Sequence, residues 1–530
     1  MTARETIDAG KAILGIEFGS TRIKAVLIDE KHNPIAQGSH EWENQFEGGY
    51  WTYSLDAIWT GLQKCYSNLR EDVRVHYNTE ITSLAAIGIS AMMHGYMAFN
   101  SADQLLIPFR TWRNTNTGEA AKVLSELFKF NMPLRWSLSH LYQCILDGEP
   151  HVEDVVFFTT LAGYIHWKLT GHKVLGVGDA SGMMPIDANT KDFDKKRIEA
   201  FDKLVAPKGY PWKLADILPK VLLAGENAGV LTEDGARYLD ISGHLKPGVP
   251  FCPPEGDAGT GMVATNAVKV RTGNVSAGTS SFSMIVLEKD LKKPHEVIDI
   301  VTTPDGSPVA MVHCNNCTSD LNAWVGLFKE YQQLLGIPVD MNEVFGKLYN
   351  NALKGDPDCG GLIAYNYFSG EPVTGLQEGR PLFVRNALDK FNLANFMRSH
   401  LYASVGVLKI GNDVLFKEEQ VKVDRITGHG GLFKTPGVGQ KVLAAALGTP
   451  ISVMETAGEG GAWGIALLAA YVVNNTSKLS LADYLEKVVF GGNTGTEIAP
   501  TPEDIAGFDT WIKNYTACLP VEEAAVKFKA

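Results

Sequence analysis

Ile13-Leu14-Gly15-Ile16-Glu17-Phe18-Gly19-Ser20-Thr21 is an apolar strand that runs into a tight turn of glycine and hydroxyl residues, and Lys24-Ala25-Val26-Leu27-Ile28-Asp29 is the second strand of the predicted hairpin. The same signal returns in the second half of the chain, in Asn274-Val275-Ser276-Ala277-Gly278-Thr279-Ser280-Ser281 followed by Met284-Ile285-Val286-Leu287. Such a turn leaves backbone N–H groups free for phosphate oxygens and places small hydroxyls beside them. The two copies predict two lobes that hold one nucleoside triphosphate from opposite sides.

The bulk composition narrows the class of protein. A chain of 530 residues, 45% of them hydrophobic, is too long for one core, so two or three domains are expected. The net charge of −12 makes nucleic acid and anionic membrane unfavourable partners. The first residues lack the order of a secretion signal, and no apolar run reaches the roughly 18 residues of a membrane span.

The cysteines favour a reduced, cytoplasmic protein. There are seven of them, an odd number, scattered along the chain. Cys314-Asn315-Asn316-Cys317 has the CxxC spacing, but a zinc site needs further ligands and only His313 is close. We therefore interpret this pair as two small residues at the end of a strand.

Strands alternate with helices along the whole chain, which indicates an α/β fold. Clear helical periodicity covers residues 55–69, 161–169, 391–411 and 464–473. The pattern of strands and helices restarts near residue 260, so we predict an internal pseudo-repeat with a domain boundary at that point. The tail beyond about residue 475 gives no clear signal.

Glu17 ends the first strand beside the predicted phosphate turn. A carboxylate there can hold Mg²⁺ through water, because Mg²⁺ keeps several waters and accepts one or two carboxylates. Lys24, a little further along, is placed to face a phosphate. Taken alone, the segment is equally an ordinary hairpin with a polar turn, and the second copy at Gly278-Thr279 favours the phosphate interpretation.

Asp257 and His94 each follow a predicted strand. Asp257, in Glu255-Gly256-Asp257-Ala258-Gly259, begins a helix of small residues, where a carboxylate can accept the proton of a substrate hydroxyl during phosphoryl transfer. An N-cap aspartate is the simpler alternative. His94 follows Met92 and Met93, and it is either a ligand of a sugar hydroxyl or a histidine of the core.

Glycine clusters occur late in the chain, in Gly428-His429-Gly430-Gly431 and in Gly458-Glu459-Gly460-Gly461-Ala462-Trp463-Gly464. Glycines let a flat ring approach the backbone, so an adenine slot is one interpretation, and turn chemistry is the other. The phosphate loop GxxxxGK[ST] does not occur in the sequence.

These pieces, in this order, resemble the FGGY family of carbohydrate kinases over roughly residues 12 to 475. Ser90-Ala91-Met92-Met93-His94-Gly95 is similar to the SGQMHG of the family's xylulokinases, and Ser276-Ala277-Gly278-Thr279-Ser280 to their SLGTS. Asp179-Ala180-Ser181-Gly182 resembles their DAAG segment, and Trp112-Arg113-Asn114 their WND.

The resemblance implies an α/β chain with the two-lobed actin-like ATPase (ribonuclease H-like) fold and an active site in the cleft between the lobes. Residues 10–262 would form the sugar-binding lobe, 263–475 the nucleotide-binding lobe, and 476–530 a tail of unknown role. The expected reaction is ATP- and Mg²⁺-dependent phosphorylation of a small ketose, first of all a pentulose such as xylulose, to its 5-phosphate. A kinase of ribulose, gluconate or glycerol, or a non-catalytic, nucleotide-gated sugar-binding protein, is the alternative. Relatives of this fold are often dimers, so a homodimer is expected by analogy.

The resemblance also implies roles for individual residues. Asp257 would be the catalytic base, and it would contact the sugar together with Met93, His94 and Trp112. Glu17 would hold the metal ion. The residues expected at ATP are Gly19, Ser20, Thr21, Lys24, Gly278, Thr279, Trp324, Gly430 and Gly431.

The sequence departs from the family pattern at several positions. Glu17 stands where the family usually has Asp, Met92 where it has Gln, Ala258 where it has a polar residue and Asn114 where it has an acid. The two family signature patterns match poorly, around residues 137–144 and 379–402. These departures affect the choice of sugar more than the assignment of a kinase.

Overall fold

The computed structural model describes residues 1–454, 456, 460–493 and 495–528. Its α-helices are α1 (Ala3–Asp8), α2 (Leu55–Tyr77), α3 (Gly118–Phe128), α4 (Ser137–Leu146), α5 (Leu161–Thr170), α6 (Val177–Ala180), α7 (Lys195–Val205), α8 (Leu214–Ile217), α9 (Glu233–Leu239), α10 (Asp257–Ala264), α11 (Ser319–Leu334), α12 (Met341–Ala352), α13 (Leu393–Asp413), α14 (Val438–Leu447), α15 (Gly460–Asn474), α16 (Leu481–Tyr484), α17 (Pro502–Ala517) and α18 (Leu519–Lys527).

The strands are β1 (Ile13–Phe18), β2 (Arg22–Ile28), β3 (Pro34–Glu41), β4 (Gln45–Glu47), β5 (Tyr50–Thr52), β6 (Ala86–Ala91), β7 (Met97–Phe99), β8 (Phe157–Thr159), β9 (Val174–Gly176), β10 (Ile186–Asp187), β11 (Asp192–Phe193), β12 (Lys220–Leu222), β13 (Glu255–Gly256), β14 (Thr272–Ala277), β15 (Ser281–Val286), β16 (Asp299–Thr302), β17 (Pro308–Cys314), β18 (Ile363–Tyr365), β19 (Leu382–Val384), β20 (Arg425–His429), β21 (Ile451–Val453) and β22 (Thr496–Ile498).

The chain divides into two compact units. The first contains residues 1–268, 299–309 and 459–493, and the second contains 269–298, 310–458 and 494–530. Each unit is therefore built from more than one stretch of sequence. The assignment of a sugar-binding and a nucleotide-binding role to the two halves of the chain stays a prediction.

The sheet of the first unit brings three polar side chains to one level. Its strand order is β13-β6-β1-β2-β3. In the parallel pair of β1 and β6, Glu17 lies opposite Ser90, and in the parallel pair of β13 and β6, Glu255 lies opposite the same Ser90. Asp257 begins α10 directly after β13. Since parallel strands end at the same edge of a sheet, the acids collect at one edge.

Helices cover this sheet at very short range. The side chain that Gly15 lacks would overlap the carbonyl oxygen of Ala462 in α15, and the one that Gly38 lacks would overlap the carbonyl oxygen of Cys65 in α2. Glycine on β1 and β3 thus lets the helix backbones approach the strands, which fixes the position of α15 on β1.

The strands of the second unit repeat this arrangement. Their order is β17-β15-β14-β20-β21-β22. The hairpin of β14 and β15 is antiparallel, and β14 is parallel to β20, which is parallel to β21. The hairpin of β1 and β2 with the parallel strands β6 and β13 has the same order. The predicted pseudo-repeat is therefore present.

The tail, which the sequence left uninterpreted, is a structural part of the chain. Residues 481–489 are helical, and the hydroxyl of Tyr484 and Nε2 of His32, both in the first unit, lie 2.7 Å apart in a hydrogen bond. In the second unit β22 adds an antiparallel strand beside β21. On α17, the indole N–H of Trp511 donates to the carbonyl of Leu362 at 3.0 Å.

Predicted helices are observed close to their predicted bounds, with extensions at their ends. The helix predicted over 55–69 continues to Tyr77, where Asn78 ends it in the left-handed conformation. The apolar helix predicted over 464–473 begins four residues earlier, at Gly460. Among the described residues, no helix is both long enough and apolar enough to cross a membrane.

Candidate functional site

Asp257 lies at the start of α10 and is partly buried. Its Oδ1 accepts the backbone N–H of Met93 at 3.1 Å, which joins it to the segment that carries His94. Burial raises the pKa of Asp257, while the N–H of Met93 opposes this rise. A carboxyl group with a raised pKa, at the end of a strand and reachable by solvent, has the properties of a general base.

Glu17 lies over the first turn of α15. A side chain on Gly461 would overlap its carboxylate, and the N–H of Ala462 donates to it. Burial, followed by the charge of Asp257, raises the pKa of Glu17 to about 7, and Lys24, directly opposite on β2, lowers it. The structure thus places Lys24 beside Glu17, and its predicted contact with phosphate stays a prediction.

This pair of acids suits Mg²⁺. The negative charge of Asp257 raises the proton affinity of Glu17, as the pKa of Glu17 shows. Carboxylate oxygens are also the ligands that Mg²⁺ prefers. Glu17 would hold the ion, which would supply positive charge for the phosphates.

Met93 and His94 are both buried, 5% exposed each. His94 adopts a φ of 71°, a left-handed conformation that costs a non-glycine residue about 1 to 3 kcal/mol and persists where its surroundings impose it. Its Nδ1 lies 3.1 Å from the carbonyl oxygen of Gly182, and its ring is stacked at 20° on Trp136. The imidazole is thus fixed by contacts on two sides.

The first hairpin turn is fixed by aromatic side chains. The indole N–H of Trp42 donates to the carbonyl of Gly19 at 2.7 Å, and the hydroxyl of Tyr53 donates to that of Ser20 at 2.5 Å. The indole N–H of Trp112 donates to Oγ of Ser20 at 3.0 Å, so a predicted sugar residue and a predicted phosphate residue are in contact. Thr21, next in the turn, is exposed to solvent.

The predicted nucleotide residues of the second unit meet at its own hairpin turn. The carbonyl of Gly278 accepts the N–H and the hydroxyl of Thr318, and the carbonyl of Thr279 accepts the N–H of Cys317. Thr279 itself is exposed. Gly430 has a φ of 101°, and a side chain there would contact the carbonyl of Ala277 at 2.5 Å. Gly431 follows at the same place, so the glycine pair lies against the turn.

Trp324 is on α11, which begins just after Thr318. Its ring packs edge-on against Phe396, with ring centroids 5.0 Å apart, and it is partly exposed. Its place near the nucleotide stays a prediction. Of the second glycine cluster, Gly458 and Glu459 lie outside the described residues.

Several polar residues of the site were not predicted. Glu255, 1% exposed, accepts the N–H groups of Gly178 and Asp179, and Asp179, fully buried, accepts the hydroxyl of Thr160 at 2.6 Å. Burial raises the pKa of Asp179 to about 8. The available signal was an acid within an apolar strand, and a second acid in the Asp179-Ala180-Ser181-Gly182 segment.

Two departures from the family pattern have structural explanations. The amide of Asn114 accepts the N–H of Trp51 and donates to its carbonyl, each at 2.8 Å, and a carboxylate could not make the second bond. Met92 is 1% exposed and belongs to the hydrophobic core of the first unit. Neither residue is therefore placed to bind a hydroxyl.

Outside this site, the structure brings one other group of metal-ligating atoms together among the described residues, from Cys144, Glu149 and His151. The guanidinium of Arg110 donates to both carboxylate oxygens of Glu149, at 2.7 and 2.8 Å, and to Sγ of Cys144 at 3.0 Å. Because Arg110 already supplies the positive charge, this group is an ion pair. Cys314 ends β17, and it and Cys317 are buried thiols.

Comparisons with known proteins show the family to which the chain belongs. Residues 12–263 match the model of the N-terminal domain of the FGGY family of carbohydrate kinases, and residues 273–473 match that of its C-terminal domain. A xylulose kinase of Lactococcus lactis is 21% identical over 540 residues, covering 97% of this chain and 99% of that protein.

Solved structures of such enzymes share the fold. A ligand-bound xylulose kinase from Lactobacillus acidophilus superposes with a TM-score of 0.77 at 17% identity, covering 97% of this chain and 99% of the other. A gluconate kinase from the same species gives 0.78 at 17% identity, covering 98% and 100%. The predicted fold class, an α/β chain of the actin-like ATPase type, is confirmed. With both of its domain models matched in order, the chain belongs to the FGGY family of carbohydrate kinases.

Proposed function

We propose that this protein phosphorylates a small ketose with ATP, first of all a pentulose such as xylulose, to give the sugar 5-phosphate. The observation that carries the proposal is the hydrogen bond from the N–H of Met93 to Asp257, because it joins a candidate base to the strained His94. Membership of the FGGY family supports the proposal, and so does the similarity to two xylulose kinases.

Asp257 is the proposed base. As the primary hydroxyl of the sugar attacks the γ-phosphorus of ATP, the O–P bond forms, the bond to the β-phosphate oxygen breaks, ADP leaves, and the hydroxyl proton passes to Asp257. The raised pKa of Asp257 brings its proton affinity nearer to neutral pH, which favours this transfer. His94 and Met93 would orient the sugar.

The phosphates are assigned to the two hairpin turns. Ser20 and Thr21 in the first unit and Thr279 in the second offer hydroxyl groups to phosphate oxygens. The N–H groups of Gly19 and Gly278 donate to the carbonyls of Arg22 and Ser280 within the hairpins, so these two glycines would act by shaping the turns. Mg²⁺ bound near Glu17 would offset the charge of the phosphates. Gly430, Gly431 and Trp324 are the proposed neighbours of the adenosine.

The experiment is an ATP-consumption assay with Mg²⁺ and a panel of xylulose, ribulose, gluconate and glycerol. We expect turnover with xylulose, and phosphosugar detected by mass spectrometry. Turnover with gluconate or glycerol instead would show that the protein is a gluconate or glycerol kinase. Sugar binding without phosphosugar, for every compound, would make the protein a binding module.

The Asp257→Asn variant tests the base. Asparagine keeps the acceptor oxygen for the N–H of Met93, so the fold and the affinity for ATP should be retained. We expect kcat to fall by about 10² to 10⁴, the usual contribution of a general base. A variant that phosphorylates sugar at the normal rate would show that Asp257 is not the base.

The same proposal includes a cytoplasmic location and a homodimer. Seven free cysteine thiols support a reducing compartment. The dimer rests on analogy with other members of this fold. Light scattering of the purified protein measures its mass, and a mass of one chain, 57.7 kDa, would contradict the dimer.

A further inference from the structure

Glu255 connects two segments that are far apart in sequence. Its Oε2 accepts the N–H of Asp179 at 2.9 Å and its Oε1 that of Gly178 at 3.3 Å. Side chains at Gly176 and Gly178 would overlap its carboxylate, so this carboxylate fills the space that two glycines leave. The contact is therefore closely packed and specific for the length of a glutamate.

The far end of the same segment holds His94. The carbonyl of Gly182 lies 3.1 Å from Nδ1 of His94, and Gly182 is joined to Asp179 by a backbone hydrogen bond of 2.9 Å. One short turn thus connects Asp179 with the imidazole of His94.

The backbone of Glu255 leads to the other side of the site. Glu255 and Gly256 form β13, and Asp257 follows directly. Because Asp257 accepts the N–H of Met93, the residue before His94, the contacts close a ring. The ring runs from Asp257 through Met93, His94 and the segment 176–182 to Glu255, and back to Asp257.

We propose that Glu255 is a positioning residue, which sets the distance between the base Asp257 and the sugar-binding His94 by holding the segment 176–182. This inference rests on the proposed function. The carboxyl group is suited to the task because it presents one oxygen to each of two N–H groups.

The charge environment supports a role beyond packing. Burial, and then the neighbouring Asp179, raise the pKa of Glu255 well above its usual range. A fully buried carboxyl beside a second one is costly, and an apolar residue would be the cheaper choice for the core alone. The acid is explained if its two hydrogen bonds to the segment 176–182 are needed for catalysis.

The experiment compares Glu255→Gln with Glu522→Gln. Glutamine keeps the volume but turns an N–H₂ group toward one of the two backbone N–H groups, so one bond is lost. Glu522 is the matched control: it too is fully buried and accepts a backbone N–H, that of Arg380 at 2.6 Å, in the second unit. Glu255→Gln should lose more thermal stability than Glu522→Gln, because the glutamine oxygen at position 522 can still accept the N–H of Arg380.

Steady-state kinetics separates positioning from folding. For Glu255→Gln we expect the KM for the sugar to rise about tenfold and kcat to fall about 10- to 100-fold, since a misplacement of about 1 Å can cost about 10² in rate. The KM for ATP should stay within about twofold. Glu522→Gln should leave all three constants unchanged. If Glu255→Gln behaves like Glu522→Gln, the inference is overturned and the proposed function stands.

A second measurement decides the inference if the wild-type protein phosphorylates none of the sugars, which would refute the proposed function alone. Hydrogen exchange should then be faster in Glu255→Gln at residues 176–182 and at Met93 and His94 than in the wild type. Unchanged exchange at both places would overturn the inference. If Glu255→Gln does not fold, Glu255→Asp takes its place, because aspartate keeps the carboxyl group and withdraws its oxygens by one methylene. This variant should show the same changes in kinetics and in hydrogen exchange. Wild-type behaviour of Glu255→Asp would overturn the inference.

Discussion

Replacing Gly182 by alanine should displace His94 by direct steric contact. A Cβ at Gly182 would lie 2.6 Å from Nδ1 of His94, 3.0 Å from its Cε1 and 2.8 Å from Cε of Met93. The φ of Gly182 is not positive, so alanine meets no backbone penalty there. The whole effect of the substitution is therefore steric, and it acts on His94 and Met93, two of the four predicted sugar residues.

The size of the effect follows from these distances. To restore an ordinary contact of 3.4 Å, the imidazole must move by about 0.8 Å. The Met93 methyl group is the end of a flexible chain and yields more easily than the ring, which Trp136 and the carbonyl of Gly182 hold. Overpacking of this kind costs about 1 to 3 kcal/mol of stability. A shift approaching 1 Å in a substrate-orienting group should reduce kcat/KM about 10- to 100-fold.

The assay measures kcat and KM with the best sugar of the panel, beside urea unfolding. Gly118→Ala is the control, because Gly118 is also in the first unit, has no positive φ, and has open space where its Cβ would lie. Gly118→Ala should match the wild type in both measurements. If Gly182→Ala matches Gly118→Ala, the described packing around His94 does not position the sugar.

Further substitutions test other parts of the structure. Gly15→Ala would push its new methyl group into the backbone carbonyl of Ala462, which cannot rotate away, so urea unfolding should show a loss of more than about 3 kcal/mol. Glu371→Ala removes the carboxylate that accepts the N–H groups of Asn315 and Asn316 beside the second turn, and should raise the KM for ATP about tenfold while the KM for sugar stays unchanged in the same assay. Since burial raises the pKa of Asp179 to about 8, the folded state keeps a proton that the unfolded chain loses above about pH 4, and wild-type stability should decline as pH rises from 4 to 8. The decline has an upper limit of about 1.4 kcal/mol per pH unit, and the Asp179→Asn variant should not show it. The measurement is the melting temperature of both proteins at pH 5 and pH 8. An equal change in the two proteins between these pH values would contradict the prediction.

The sequence was sufficient for the parts of the fold that local patterns determine. Apolar strands on both sides of a glycine–hydroxyl turn predicted both hairpins, and the turn residues Gly19 and Ser20 predicted where the first one bends. Asp257 stood out because an acid follows a strand and begins a helix of small residues. Helix ends were less accurate, since the polar face of α2 continues past residue 69 until Asn78 ends it.

Long-range contacts account for what the sequence did not predict. The carboxylate of Glu255 meets an amide 76 residues earlier in the chain, and Nδ1 of His94 meets a carbonyl 88 residues later. Periodicity along a segment carries no information on such pairs. The tail was missed for the same reason, because β22 is recognisable only once β21 is beside it.

Each unit nevertheless uses one buried acid in a comparable way. Glu255 accepts two consecutive backbone N–H groups in the first unit, and Glu371 accepts those of Asn315 and Asn316 in the second. Burial raises the pKa of both carboxyl groups, to about 7 for Glu371. Burial therefore destabilises their charged form, and charge alone does not explain why an acid occupies these positions. What a carboxyl group offers at these places is acceptor capacity for two neighbouring backbone N–H groups at once. A buried acid in an otherwise apolar stretch therefore indicates that its side chain binds the backbone of a segment distant in sequence. In the first unit that segment is 176–182, which also contacts His94.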